Sequence, residues 1–252
     1  MVPSPETRYA LITGAGSGIG LATAEHFIKN NWKVIAVGRT QSKLEELRSK
    51  FPDQVMAVQC DIANASDVSK LLSKITSLVP QIKALVNNAG IWKRLSFLET
   101  DDAIWREQFE TNILGSVRIT RDLLKLSIAQ KSALSVVNIS STLGVRPVAE
   151  TAAYSASKAA MVSWTQTLAL EMAKYKIRVN CICPGIIDTP IHHFHGDSSP
   201  ESTALRASLQ NAQPLGRMGK PEDVASGVFY LCSNEAEWVT GSTLNIDGGI
   251  SL

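Results

Sequence analysis

Seven short aliphatic and β-branched runs, separated by stretches of helical periodicity, constrain this chain more than any other feature. Tyr9-Ala10-Leu11-Ile12, Val34-Ile35-Ala36-Val37, Val55-Met56-Ala57-Val58, Ala84-Leu85-Val86, Ser135-Val136-Val137-Asn138-Ile139, Arg178-Val179-Asn180-Cys181-Ile182 and Thr243-Leu244-Asn245-Ile246 read as buried strands. Segments between them, such as SKLEELRSK and DVSKLLSKI, repeat apolar residues at helical spacing. Strands alternating with helices predict an α/β fold: a Rossmann-like, doubly wound, seven-stranded parallel sheet with helices on both faces. No composition shift or Gly/Ser linker divides the sequence, so residues 1–252 are expected to form a single domain. The stretch 191–216 breaks the rhythm. It follows a strand end, where doubly wound folds place ligands, and is expected to be a substrate lid.

Charge and composition exclude several classes of function. The net charge is +2 and the basic residues are scattered, which argues against a nucleic-acid partner. The apolar runs are strand-sized, too short to span a bilayer, so no membrane partner is expected. The start MVPSPETRYALITG lacks the charged, apolar and small-residue regions of a secretory signal, and the cytoplasm is the expected compartment. Cys60, Cys181, Cys183 and Cys232 form no CxxC and no regular framework, and read as reduced thiols. His192, His193 and His195 have no carboxylate or cysteine at ligand spacing beside them, so no metal is expected and they read as lid or pocket-wall residues.

Directly after the first strand comes Thr13-Gly14-Ala15-Gly16-Ser17-Gly18-Ile19-Gly20, followed by the helical LATAEHFIKN. Glycines at 14, 18 and 20 permit a tight turn, a close backbone approach to phosphate and tight helix–strand packing. The N–H groups and positive dipole end of the following helix suit a pyrophosphate. The flanking strand and helix are the context that a nucleotide-binding reading requires.

The TGxxxGIG spacing, with Asn87-Asn88-Ala89-Gly90, Asn112, Ser141, Tyr154 with Lys158, and Pro184-Gly185 running to Thr189, resembles the short-chain dehydrogenase/reductase family in its single-domain branch. The resemblance runs from Thr13 to Gly249. It is similar in particular to the 3-oxoacyl-carrier-protein reductases and the polyol and carbonyl reductases. It implies a dinucleotide held by Gly14, Ser17, Gly18, Ile19 and Gly20, with Asn88, Ala89 and Gly90 beside them. Asp61, with Ile62 next to it, matches the residue that bonds the adenine amino group, and Asn87 braces the central sheet. Gly38 stands where NAD-type members carry aspartate. The following Arg39 and Thr40 are able to hold a 2′-phosphate, which makes NADP(H) the expected cofactor and NAD the alternative, with Arg39 then a surface residue. Members that prefer NADP also place a basic residue in the glycine turn, where this chain has Ser17. The family pattern further has Pro184, Gly185, the backbone of Ile187 and the Thr189 hydroxyl around the nicotinamide carboxamide.

Tyr154 and Lys158 lie four residues apart on an expected helix and so share a face. By resemblance Tyr154 is the general acid/base, Lys158 binds the nicotinamide ribose, Ser141 holds the substrate oxygen and Asn112 steadies a proton relay. The ordinary phenol pKa lies near 10, and an ammonium beside it, together with the positive nicotinamide ring of the oxidised cofactor, is expected to bring it toward working pH. Ser140 is expected to face away from Ser141, because neighbours in an extended chain alternate. Trp92, Lys93, Arg94, Leu143, Gly144, Glu150 and Thr151 are expected to line the pocket. The expected chemistry interconverts a carbonyl and a secondary alcohol by direct hydride transfer. Oxoacyl reduction, sugar or polyol oxidation and general ketone reduction all stay open. A catalytically weak nucleotide sensor on the same fold is the rival, although all four catalytic positions are filled. The C-terminal stretch resembles members that assemble as homotetramers through late helices and the last strand, where Gly248 and Gly249 allow close backbones.

Overall fold

The computed structural model describes residues 7–79, 81–192 and 195–252. The first six residues, within the stretch read for a leader, and His193 of the histidine cluster lie outside the described residues. The seven expected strands form one parallel sheet: β1 Tyr9–Thr13, β2 Lys33–Gly38, β3 Val55–Gln59, β4 Ile82–Asn87, β5 Ser135–Ile139, β6 Arg178–Pro184 and β7 Thr243–Ile246. Their spatial order is β3-β2-β1-β4-β5-β6-β7.

The period-two alternation of each strand feeds two cores. Ala10, Ile12, Val34, Ala36, Ala84 and Val86 face one layer, which includes Phe27 and Ile28 of α1 (Gly18–Lys29) and Val224 and Val228 of α8 (Pro221–Cys232). Leu11, Ile35, Val37, Leu85 and Val136 face the other, with Leu71 of α3 (Ala65–Leu78) and Ile119 and Leu123 of α5 (Gly115–Ala129). Burial on both faces is why the strands read as continuous apolar runs.

The chain builds β1 to β3 outward, then returns to lay β4 on the other side of β1. A crevice therefore opens at the carboxyl ends of β1 and β4, the place where such sheets bind ligands. Two helices carry side chains toward it. One runs from α4 (Asp102–Phe109) through a π-helical turn at Glu110–Leu114 into α5. The other is α6 (Ala152–Met172), whose first turns hold Tyr154 and Lys158. The remaining helices are α2 (Gln41–Lys50) and α7 (Pro200–Asn211). Within the expected lid, α7 contributes no buried residue.

Candidate active site

The glycine turn is held by close backbone packing. A Cβ on Gly20 would lie 2.2 Å from the Gly14 carbonyl oxygen, and one on Gly14, whose φ is +67°, 2.7 Å from Asn88 Nδ2. Asn88 in turn donates from Nδ2 to the Thr13 carbonyl at 2.9 Å. The amides of Asn88 and Ala89 both donate to Thr13 Oγ1 at 3.0 Å. Ala15 N–H donates to the Val37 carbonyl at 3.1 Å, which seats the turn against the end of β2. Ile19 packs against the first core layer. At Gly18, φ +54°, an added Cβ would meet Thr189 Cβ at 3.2 Å, so the turn also touches the segment after β6.

That segment is fixed at several points. A Cβ on Gly185 would come within 2.7 Å of Asp247 Cα. Ile187 is buried and bridges to Gly219, and Thr189 Oγ1 donates to the Ile187 carbonyl at 3.3 Å. Pro184, at the end of β6, and Gly185 thus lead Ile187 and Thr189 to the same crevice as the glycine turn.

The carboxyl ends of β2 and β3 open a cleft of about 600 Å³ between Arg39 and Asp61. Arg39 and Thr40 are exposed there, and Gln59 donates to the Arg39 carbonyl at 2.9 Å. Asp61 accepts from the Ala63 amide at 3.0 Å, Ile62 is buried, and Asn64 caps α3. A tight glycine turn, an open helix start, and an acidic and a basic group at one end fit a dinucleotide.

At the opposite end of the crevice the four catalytic candidates converge. Asn112, fully buried in the π-helical turn, accepts from Ile91 N–H at 2.8 Å and donates to the Ile91 carbonyl at 3.1 Å. Its Nδ2 also donates to Ser157 Oγ at 3.0 Å, and that hydroxyl donates to the Tyr154 carbonyl at 2.7 Å. Lys158 Nζ donates to the Ile139 carbonyl at 2.8 Å and lies 5.7 Å from the Tyr154 ring centre. Gly90 lets these groups meet, since a Cβ there would lie 3.2 Å from Asn112 Oδ1 and 3.5 Å from Lys158 Nζ. Ser141 Oγ accepts from the Leu143 amide at 3.1 Å and favours the ionised form of the Tyr154 phenol. Ser140 turns away and donates to the Lys158 carbonyl at 2.7 Å.

Electrostatics here differ from the sequence-based expectation. Burial holds the Tyr154 phenol up at about 12, with the Ser141 hydrogen bond opposing the shift and nearby Cys183 adding to it. Burial also brings the Lys158 ammonium down to about 8. Desolvation is the largest cause of both shifts, because burial disfavours the charged form of each group. At pH 7 the phenol is protonated and the lysine charged.

Ser157, which joins Asn112 to the Tyr154 backbone, escaped the sequence reading. Its position three residues after Tyr154, on the same helix face, was the available signal. Trp92 stands edge-on against the Tyr154 ring, with centres 4.7 Å apart and planes at 84°. On the rim, Lys93 pairs with Glu107 at 2.5 Å and Arg94 with Glu150 at 2.9 Å. His195 Nδ1 lies 2.8 Å from Asp188 Oδ1, joining the start of the expected lid to the segment after β6. Among the described residues no group of three His, Cys, Asp or Glu side chains is placed to hold a metal ion. No helix among them is long and apolar enough to cross a membrane.

Comparison with known proteins agrees with this geometry. Residues 14–251 match the protein-family model described as enoyl-(acyl carrier protein) reductase. L-fucose dehydrogenase of Bos taurus is 35% identical over 251 residues, covering 98% of this chain and 92% of its own length. A 3-ketoacyl-(acyl-carrier-protein) reductase from Brucella melitensis, complexed with NADH, superposes with a TM-score of 0.89 at 34% identity, covering 99% of this chain and 100% of that one. L-sorbose reductase from Gluconobacter frateurii, complexed with NADPH and L-sorbose, gives 0.90 at 32% identity, with 97% and 96% covered. The family model and the relatives establish that the chain belongs to the short-chain dehydrogenase/reductase family, a family of oxidoreductases.

Proposed function

We propose that the protein is an NADP(H)-dependent oxidoreductase that interconverts a carbonyl and a secondary alcohol on a small molecule, with Tyr154 as general acid/base. The observation that carries this reading is the convergence of Ser141, Tyr154, Lys158 and Asn112 beside the glycine turn. When bound, a nicotinamide dinucleotide supplies or accepts the hydride. The chain's own residues do the rest. Ser141 and Tyr154 hold the substrate oxygen, and in the reducing direction the protonated phenol gives its proton to that oxygen as negative charge develops there. The Lys158 ammonium beside the ring stabilises the phenolate left behind. Asn112, clamped by both polar groups of Ile91, keeps the helix turn facing the lysine. Trp92 restricts the phenol ring from one side and narrows the entrance.

Arg39 at the end of β2, with Gly38 in place of an acid, supports NADP(H) over NAD, because an acid there would repel a 2′-phosphate. The same reading makes 191–216 the substrate lid. It takes a cytoplasmic homotetramer as the working assembly, with β7, an outermost strand of the sheet, at a subunit interface. The test is thermal unfolding at fixed protein concentration with equal NADPH or NADH, followed by a carbonyl panel of ketoses, 3-oxoacyl thioesters and simple ketones. A ligand at 100 times its Kd adds roughly 2.7 kcal/mol, a shift of several degrees for a chain of this size. A larger shift with NADPH and its consumption by at least one carbonyl are expected. A larger shift with NADH would overturn the cofactor assignment, and no shift with either would overturn the enzymatic reading.

A further inference from the structure

The glycine turn carries Ser17 where NADP-preferring relatives place a basic residue, and the fold brings another cation to the same spot. We propose that Lys43 of α2 is a specificity-determining residue that completes, with Arg39, the clamp on the 2′-phosphate of NADP(H). This rests on the cofactor reading above and deepens it.

The geometry starts at Gly16. A Cβ built there would lie 3.1 Å from Lys43 Cβ and 3.9 Å from Lys43 Cδ, so the lysine stem lies over the glycine turn in the space a side chain at 16 would take. The Ala15–Val37 hydrogen bond of 3.1 Å holds that part of the turn against the end of β2, from which Arg39 and Thr40 emerge. The Lys43 stem thus lies over the glycine turn from α2, while Arg39, just past the end of β2, lines the neighbouring cleft with Gln59 and Asp61.

Both cations lack a counterion. Neither Lys43 nor Arg39 forms an ion pair among the described residues, and both are exposed. On the same helix, Glu45 is already engaged by Gln41 at 2.6 Å and by Arg48 at 2.7 Å. The first turn of α2 holds no acidic residue. Two hydroxyls at the same place are also unused. Ser17 and Thr40 occupy the N-cap positions of α1 and α2, yet neither side chain makes a capping hydrogen bond. Serine and threonine at such positions usually cap. An exposed lysine without an ion pair over the glycine turn, an exposed arginine without one just past β2, and uncapped hydroxyls at the starts of α1 and α2 suit a phosphate monoester, which carries close to two negative charges at pH 7. A ribose hydroxyl, as in NADH, uses almost none of that charge.

The experiment measures Kd for NADPH and for NADH by cofactor fluorescence, on the wild type and on Lys43→Ala, Lys43→Arg and Arg39→Ala, at two salt concentrations. For Lys43→Ala we expect NADPH binding to weaken about tenfold, equivalent to about 1.4 kcal/mol, with the NADH Kd unchanged. Lys43→Arg should restore NADPH binding. The salt dependence of NADPH binding should be shallower in Lys43→Ala, because an exposed ion contact is screened by salt. Equal weakening of both cofactors, or an unchanged NADPH Kd, would overturn the role of Lys43. If the wild type prefers NADPH, Arg39→Ala abolishes that preference and Lys43→Ala leaves it unchanged, Lys43 is excluded while the cofactor reading stands. If the wild type prefers NADH, both fall together.

Discussion

In the proposed mechanism, burial divides the roles of Tyr154 and Lys158. The phenol, held at about 12, is a protonated donor across the neutral range, whereas the ammonium, at about 8, is the group that titrates near working pH. The sign follows directly. Below pH 8 the lysine is charged in the folded protein and supports the developing phenolate, and as pH rises through 8 that support is lost while the phenol stays protonated. We expect kcat/KM for carbonyl reduction to be level from pH 6 to about 7.5 and then to fall about tenfold per unit above about 8. A stopped-flow pH profile of NADPH oxidation checks this, and a rate that stays level to pH 10 would show that Lys158 does not set it. The fixed geometry of Ser141 has a similar basis. Its backbone is extended, with φ −165° and ψ 154°, so Ser140 and Ser141 point to opposite sides, one to the Lys158 backbone and the other to the phenol.

Between elements, the site depends on how closely the segment after β4, the π-helical turn and α6 approach one another. Gly90 lies at their meeting point, 3.2 Å from Asn112 Oδ1 and 3.5 Å from Lys158 Nζ measured from an added Cβ. Gly90→Val would drive these groups apart. We expect turnover to fall by at least tenfold and stability by about 1–3 kcal/mol, the usual cost of overpacking. Turnover at the wild-type level would mean that the convergence is unnecessary. Much of this arrangement was legible in the sequence, for physical reasons. Strands buried on both faces leave continuous apolar runs, and β1, β5 and β7 start where those runs start. β4 begins earlier, at Ile82, because Lys83 interrupts the apolar run, and its ammonium approaches Ser132 Oγ at 3.5 Å. The glycine turn was legible because its conformation and packing exclude side chains. Contacts that depend on tertiary packing were not. No periodicity announces the π-helical turn that presents Asn112, the Trp92 ring against Tyr154, or the Lys43 stem over Gly16. The upward push of burial on Tyr154 was not legible for the same reason, since burial is a property of the assembled site.

The molecule as a whole separates its tasks along one crevice. The ends of β2 and β3 offer an acid, a base and a roomy cleft, the centre offers the glycine turn and α1, and the ends of β4 and β5 with α6 offer the proton-transfer groups. A parallel sheet whose order reverses at β1 and β4 makes this possible, because every one of these groups lies at or just beyond a carboxyl strand end. The stretch after β6 adds the His195–Asp188 contact at 2.8 Å and α7, a helix with no buried residue. The central claim is that this crevice performs hydride exchange with Tyr154 moving the proton. The most direct measurement is single-turnover reduction of the best carbonyl substrate by NADPH with the wild type and Tyr154→Phe, together with NADPH-induced thermal shifts of both. Removal of a general acid typically costs 10²–10⁴-fold in rate. The account predicts a loss of about that size with the thermal shift preserved. A Tyr154→Phe protein that turns over at the wild-type rate would contradict it.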